Sequence, residues 1–265
     1  MKQVVKIKTR EHLKEIIERE ITLHGYKCDL NHLDVSEVTD MSQLFAYSKF
    51  RGNISKWDTN CVTNMTMMFY DSQFNSDISM WDTSSCTTMD GLFMDSKFNG
   101  NLSKWNISRV ESMNSTFLRS EFIGDISKWD TASVKNMSFM FYHSQFNGDI
   151  SKWNTSSVKD MPSMFRQSKF NGDISNWDVS RVQGMSWMFA GSQFDGDISN
   201  WNTSQVTNMQ EMFTDCTAPI PYWSKYEDRD RRRRAIQEYQ HILQEQQRLL
   251  ANIKLYPNKE TVNKV

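Results

Sequence analysis

The amino-acid sequence predicts an α/β solenoid, a stack of about eight coils of 24 residues, each with a short strand and a short helix. Tryptophan recurs every 24 residues from Trp57 to Trp201. Methionine keeps the same spacing from Met41 to Met209, and phenylalanine keeps it from Phe45 to Phe213. One unit cannot bury so many large apolar side chains alone, whereas stacked units share a continuous core. The repeat therefore predicts the fold class.

Each unit has two halves with different patterns, as the unit GDISKWNTSSVKDMPSMFRQSKFN (residues 148–171) illustrates. From Val158 to Phe165 the apolar residues are spaced i, i+3, i+6 and i+7, which predicts a short helix with an N-cap such as Thr155. The Asp-Ile-Ser-x-Trp half is rich in strand-forming residues and follows a turn signal, which predicts a short strand. The regular Ser and Asp/Asn columns are expected to satisfy backbone groups in tight turns.

The repeat is expected to occupy residues 28–217, since CDLNHLD is the first segment that aligns with it. Residues 1–27 then form an N-terminal cap, with a strand in VVKIK and a helix over residues 10–24 that ends at Gly25. This helix is expected to cover the open edge of the first coil, because an uncovered edge invites strand addition.

The pattern ends at APIPYW, where two prolines interrupt it. Residues 218–256 are predicted to form a helical C-terminal cap with a helix from about Trp223 to Leu255, and residues 257–265 a flexible tail. Two interpretations of this helix stay open: it docks on the end of the solenoid, or it forms a homodimer. The homodimer would use a heptad-like series that includes Ile236, Leu243 and Leu250.

Candidate partner-binding residues lie where the repeat is broken on outward faces, because the regular columns are explained by packing. The first set is an outward apolar stripe on the predicted helices, which is unusual for a soluble monomer. A partner protein, a second copy of the chain or the terminal helix would cover it. Its members are Met67, Tyr70, Met94, Leu118, Phe139, Tyr142 and Trp187.

The second set is a lysine column on the predicted strands, formed by Lys56, Lys104, Lys128 and Lys152. Lysines on an edge keep other strands away, so a solvated edge is one interpretation. Binding of an acidic protein or a polyanion is the other.

A dense arginine run on the C-terminal helix is a weaker polyanion candidate. Its members are Arg229, Arg231, Arg232, Arg233 and Arg234. Acidic residues interleave with them, which favours a solvated helix face over nucleic-acid binding. Lys+Arg total 31 against 32 for Asp+Glu, a net charge of -1, so the chain is not expected to coat nucleic acid.

The sequence indicates no catalytic, metal or cofactor site. The five histidines are scattered, the four cysteines form no CxxC pair, and phosphate-binding and nucleophile-elbow motifs are missing. No run approaches the roughly 18 apolar residues of a membrane span. The N-terminal segment turns charged too soon for a secretory signal, so the expected location is the cytoplasm of the producing or infected cell.

The pattern F-N-x-D-I-S-x-W-[DN]-T-S-x-V-x-x-M-x-x-M-F, over roughly residues 28 to 217, resembles the leucine-rich-repeat-like surface proteins of the BspA type, which are widespread in mycoplasmas. The resemblance implies a leucine-rich-repeat-like solenoid and, in the best-known members, adhesion or protein binding. It implies no catalytic residues.

The sequence therefore predicts a non-catalytic protein-protein interaction scaffold. Three alternatives stay open: a virus- or phage-encoded effector that inhibits a host factor, a cell-surface adhesin, and a nucleic-acid-binding protein that uses the arginine run.

Overall fold

The structure is a computed structural model that describes residues 5–255. In chain order, its elements are β1 (Val5–Lys6), α1 (Arg10–His24), β2 (Leu33–Asp34), a 3-10 helix (Tyr222–Lys225) and α2 (Arg229–Leu255). From β2 to the 3-10 helix the chain consists of turns and isolated parallel bridges. The tail predicted for residues 257–265 lies outside the described residues.

Successive 24-residue units lie side by side, with each residue next to its equivalent in the following unit. Parallel bridges fix this register, and they connect Asp40, Asn64, Thr88, Ser112, Asn136, Asp160, Gly184 and Asn208 in turn. Backbone hydrogen bonds accompany the bridges along the same rows. Each unit therefore pairs with its two neighbours in sequence, as the repeat requires.

Within the rows that include Met137 and Phe139, the hydrogen bonds between units have one direction. Met137 N–H donates to the Asp160 carbonyl at 2.8 Å, and Phe139 N–H donates to the Pro162 carbonyl at 2.9 Å. The Met137 carbonyl is used inside its own unit, where it accepts from Met140 N–H at 3.3 Å. In these rows, the N–H groups of a unit donate to carbonyls of the unit that follows. Its own carbonyls accept from N–H groups of the unit that precedes.

The backbone inside each unit differs from the predicted strand-helix coil, since the described chain has no helix between α1 and the 3-10 helix. Met67, inside the stretch predicted to be helical, has a positive φ of 53°, and Asp71, two residues after that stretch, has a φ of 47°. An α-helix requires negative φ throughout. Its N–H groups also bond within the helix, whereas here every second one bonds to the next unit. The half predicted as a helix is therefore a series of tight turns.

The half predicted as a strand also forms turns. The Asp149 carboxylate accepts from Ser151 N–H at 2.9 Å, and the equivalent Asp or Asn makes the same turn in other units, as Asn101 does with Ser103 at 2.9 Å. Short polar side chains favour such turns because they bond their own backbone two residues on. The polar columns thus satisfy turn backbone, as the sequence predicts.

The core is a set of aromatic columns. Trp57 and Trp81 stack with ring centroids 6.2 Å apart, and Phe69 and Phe93 stack at 5.6 Å. The tryptophan indole also donates to the preceding unit, as Trp129 Nε1 does to the Leu102 carbonyl at 3.1 Å. These rings are nearly fully buried, so each contributes a large apolar area and, for tryptophan, a satisfied N–H group.

The N-terminal end of the stack is covered by β1 and α1. Strand β1 pairs in parallel with β2, with Val5 opposite Leu33. Helix α1 has the predicted bounds, with Thr9 accepting from His12 N–H as its N-cap and Gly25, at φ 79°, ending it. Its buried face, Leu13, Ile16 and Ile17, packs into the same core as the repeats.

The C-terminal end is covered by the 3-10 helix and the first turns of α2. Trp223 is buried beside the last phenylalanine, Phe213, with centroids 6.3 Å apart. Arg232 and Ile236 of α2 are buried as well. The sequence predicted one helix from Trp223, but the chain forms the 3-10 helix first and begins α2 only at Arg229.

The homodimer expected from the heptad-like series requires a correction. Ile236 is 3% exposed and belongs to the core, so it is not available to a second copy. Leu250 is 59% exposed and Leu243 is half-buried, further along α2. The helix docks through its N-terminal part, and its later turns project from the stack.

Candidate functional site

The outward apolar stripe begins with a pair of tyrosines on adjacent units. Tyr47 and Tyr70 meet edge to face with centroids 4.8 Å apart, and Tyr47 is 68% exposed. A hydrogen bond between their side chains raises the pKa of Tyr70, and desolvation adds to the effect. Tyr47 was not among the predicted residues, although it lies one column from Tyr70 in the preceding unit.

A second cluster lies further along the stripe. Phe139 and Tyr142 meet edge to face at 6.4 Å. The Arg166 guanidinium lies 4.5 Å above the Trp187 ring and 5.8 Å from the Tyr142 ring. A guanidinium over aromatic faces is attracted by the ring quadrupole and holds both rings in place. Arg166 was not among the predicted residues because the stripe was defined by apolar and aromatic side chains, although it occupies the column of Tyr70 and Tyr142.

The middle of the stripe is less exposed than the sequence suggests. Met67, Met94 and Leu118 are half-buried. A Cβ added to Gly91 would lie 3.0 Å from Met67 Cγ, so the methionine packs over that glycine. Beside them, the Arg119 side chain pairs with Asp95 through two hydrogen bonds of 2.6 and 2.8 Å.

The structure thus brings the predicted stripe residues together in two aromatic clusters joined by aliphatic side chains. Phe139 is the most exposed of the predicted set, at 37%.

The lysine column is exposed along its whole length, and the ion pairs of the described chain include none of its four members. The pKa values of Asp125 and Asp149 are lowered, first by the N–H groups of Ser127 and Ser151 and to a smaller extent by Lys128 and Lys152. Exposed Met80 interrupts the column between Lys56 and Lys104. The column therefore displays positive charge that neighbouring carboxylates only partly offset.

The arginine run also requires a correction. Arg232 is 1% exposed, and it donates to the carbonyls of Thr203 at 3.2 Å and Tyr226 at 2.8 Å. Burial lowers the pKa of this guanidinium, and Asp228 partly opposes the shift. Arg232 therefore holds α2 to the last unit and is not available to a polyanion. Arg229, Arg231, Arg233 and Arg234 remain exposed.

Within residues 5–255 no group of three or more His, Cys, Asp or Glu side chains is placed to hold a metal ion. Burial raises the pKa of the Cys86 thiol to about 12, which leaves it unreactive at neutral pH. In the same part of the chain, no helix has both the length and the apolar character needed to cross a membrane.

Comparisons with known proteins identify the family but not a relative. Neither the curated proteins nor the solved structures contain a match to the chain. One family model matches in two overlapping stretches, residues 19–123 and 112–223, and its description is "Mycoplasma protein of unknown function, DUF285". These stretches contain all the repeat units and cover well over half of the sequence. The chain therefore belongs to the DUF285 family of mycoplasma proteins.

Proposed function

We propose that the chain is a non-catalytic, solenoid-type scaffold that binds a partner protein on its outward apolar stripe. The observation that carries this proposal is the cluster of Phe139, Tyr142 and Trp187 around Arg166. Tryptophan, tyrosine and arginine dominate the binding energy of protein interfaces. The cluster is held by contacts within the chain, so a partner would meet side chains that have already lost much of their freedom.

The repeat architecture supports this choice. Because the aromatic core columns and the ladder between units maintain the stack, outward residues are free to differ from unit to unit. The stripe makes use of that freedom, since equivalent positions carry Tyr70, Met94, Leu118 and Tyr142. A surface of this kind presents a non-repeating pattern on a regular support.

The test is affinity capture with quantitative mass spectrometry, comparing the wild type with the double variant Phe139→Ser, Trp187→Ser. We expect at least one protein to lose roughly tenfold or more of its capture by the variant, as loss of hot-spot residues implies. The control is Lys128→Ser, Lys152→Ser, which changes two exposed residues outside the stripe. The stripe proposal is wrong if the stripe variant, shown to be folded by circular dichroism, captures the same proteins in the same amounts.

The lysine column supports a second candidate, the binding of an acidic protein or a polyanion. The supporting observation is a column of exposed lysines without ion pairs to neighbouring carboxylates. Retention on heparin would fall steeply with salt and would be lost in the Lys128→Ser, Lys152→Ser variant. Retention that is equal in both proteins would remove this candidate.

Adhesion is the finer function that the BspA-type resemblance implies, and in this proposal it would use the same stripe. It differs from the main proposal only in where the partner is found. Fractionation of cells that produce the chain separates the two, because an adhesin must be accessible to protease added outside the cell.

A further inference from the structure

In each earlier unit, one row of N–H groups donates to the next unit. The last unit has the same row, but within residues 5–255 no further unit follows it. One unit earlier, the N–H groups of Met185, Trp187, Phe189 and Gly191 donate to carbonyls of the last unit at 2.8 to 2.9 Å. The equivalent donors of the last unit have no hydrogen-bond acceptor within residues 5–255. They are the N–H groups of Met209, Glu211, Phe213 and Asp215.

This row opens on a cavity of about 740 Å³, lined by residues 207–214 together with Ile220, Ser224 and Glu227. Trp223 covers the Phe213 ring, and Arg232 bonds to carbonyls of the same unit. These two residues close the adjoining parts of the unit end. Glu211 and Asp215 of the row are exposed, and Met209 and Phe213 are half-buried.

The opposite end of the stack presents carbonyls where the last unit presents N–H groups. There the first unit directs its carbonyls backward, and the Arg10 side chain of α1 donates to the Ser42 carbonyl. Leu44 shares the core with the buried face of α1, and residues from the segment 43–49 line an open cavity together with α1. One carbonyl of the acceptor row is thus bonded by a side chain of the same chain, while those of Asp40, Leu44 and Ala46 accept no hydrogen bond within residues 5–255.

The chemistry of the row defines what fits it. A line of N–H donors needs acceptors, and an anion and a line of main-chain carbonyls both supply them. Carboxylates of Glu211 and Glu227 line the cavity, and they repel an anion. Neutral main-chain carbonyls are therefore the acceptors that fit the row. A ligand that also carries cationic side chains would be attracted by Glu211 and Glu227.

We propose that the end of the last unit binds a peptide segment, rich in lysine or arginine, of a partner protein. Its main-chain carbonyls accept from the N–H groups of Met209, Glu211, Phe213 and Asp215, while its basic side chains pair with Glu211 and Glu227. Addition of a peptide to an open hydrogen-bonding edge is an established mode of recognition. A second copy of the chain fits less well, because Arg10 of α1 already bonds the Ser42 carbonyl within the row that a copy would have to present.

The test uses the full chain and an array of short synthetic peptides that are matched in length and apolar content but are basic, acidic or neutral. We expect retention of basic peptides, and a loss of roughly tenfold in the double variant Glu211→Lys, Glu227→Lys, corresponding to about 1.4 kcal/mol. The control Glu238→Lys changes an exposed carboxylate on α2 outside the cavity lining. The best basic peptide should also slow amide hydrogen exchange at residues 209–215 and not at residues 185–191.

Any of three results would overturn the proposal: no peptide is retained, acidic peptides are preferred, or protection appears elsewhere in the chain. Concentration-dependent light scattering that the Glu211→Lys, Glu227→Lys variant abolishes, without peptide binding, would identify a second copy as the occupant instead. Because the Phe139→Ser, Trp187→Ser variant leaves this end unchanged, failure of the stripe proposal and failure of this one are separate outcomes.

Discussion

Arg232 of α2 donates from Nε to the main-chain carbonyl of Thr203 in the last repeat unit, at 3.2 Å. The same guanidinium also donates to the Tyr226 carbonyl at 2.8 Å and contacts the Val206 carbonyl. One buried cation thus ties α2, the segment before it and the end of the stack together.

Replacing Arg232 with alanine should cost about 3 kcal/mol of unfolding free energy, because several charge-assisted hydrogen bonds to buried carbonyls are lost together. Arg232→Lys should restore little, since an ammonium lacks the planar set of donors. Urea unfolding followed by circular dichroism measures both effects. Arg233→Ala, at an exposed position, should stay within about 0.5 kcal/mol of the wild type. Equal urea midpoints for Arg232→Ala and the wild type would show that the contacts do not hold α2.

Trp129→Phe should destabilise the chain by about 2 kcal/mol, because a smaller ring leaves space in the core and the Leu102 carbonyl loses its donor. The substitution lies in the middle of the stack, so it weakens contacts with both neighbouring units. Thermal unfolding compares it with Lys128→Ala, an exposed neighbour that should have little effect. A loss no larger than that of Lys128→Ala would contradict the role given to the tryptophan column.

Gly91→Ala should cost about 1 kcal/mol, since Gly91 has φ of 60° and an added Cβ would approach Met67 Cγ to 3.0 Å. The double variant with Met67→Ala should recover the steric part of this cost and leave the backbone part, which a double-mutant cycle separates. Gly184→Ala is the matched control, because its backbone is not in the left-handed region and its nearest contact is 3.4 Å. Equal losses for the two alanine variants would refute this explanation.

Acid should destabilise the stack through its turn aspartates. The pKa of Asp149 is lowered, chiefly by the N–H group of Ser151, so folding favours the carboxylate form. The resulting stability is fully present above the usual aspartate pKa of about 4, and it is lost as pH falls through the lower folded value. Asp149→Asn, which keeps the acceptor oxygen, should lose less stability between neutral and acidic pH than the wild type.

The converse variant is Asn101→Asp, because Asn101 makes the same turn with Ser103. It should increase the acid sensitivity, as urea unfolding at a series of pH values would show. No change in either variant would mean that the turn carboxylates do not control the acid response.

The sequence predicts the side-chain arrangement of the repeats better than their backbone. The spacing of residues such as Val62, Met65 and Phe69 identifies those that face the core, and all three are buried. A short helix and a series of tight turns both return a side chain to the same face every three or four residues. The two structures differ in the acceptor of each N–H group, which lies within the helix in one case and in the next unit in the other. The local spacing of apolar residues does not distinguish them. The helix was therefore predicted where turns occur.

At the ends and at the candidate site, features with local sequence signals were predicted, whereas features that depend on tertiary packing were not. Capping signals at Thr9 and Gly25 are local, and α1 has the bounds that they predict. The burial of Arg232 and Ile236 depends on the shape of the last unit, so a charged, heptad-like segment gave no sign of it. Arg166 could have been found by reading its column across units, since it lies 24 residues after Tyr142.

Because all units share one hydrogen-bond register, the stack tolerates insertion of a whole unit better than insertion of a single residue. Insertion of one whole unit would leave the column contacts in place and lengthen the surface, because each unit meets only its neighbours. Insertion of a single residue within a row would shift the following donors away from their acceptors and turn core side chains outward. Variation in the length of such chains is therefore expected in steps of a complete unit, so that a longer binding surface arises by in-frame duplication while the two end segments stay as they are.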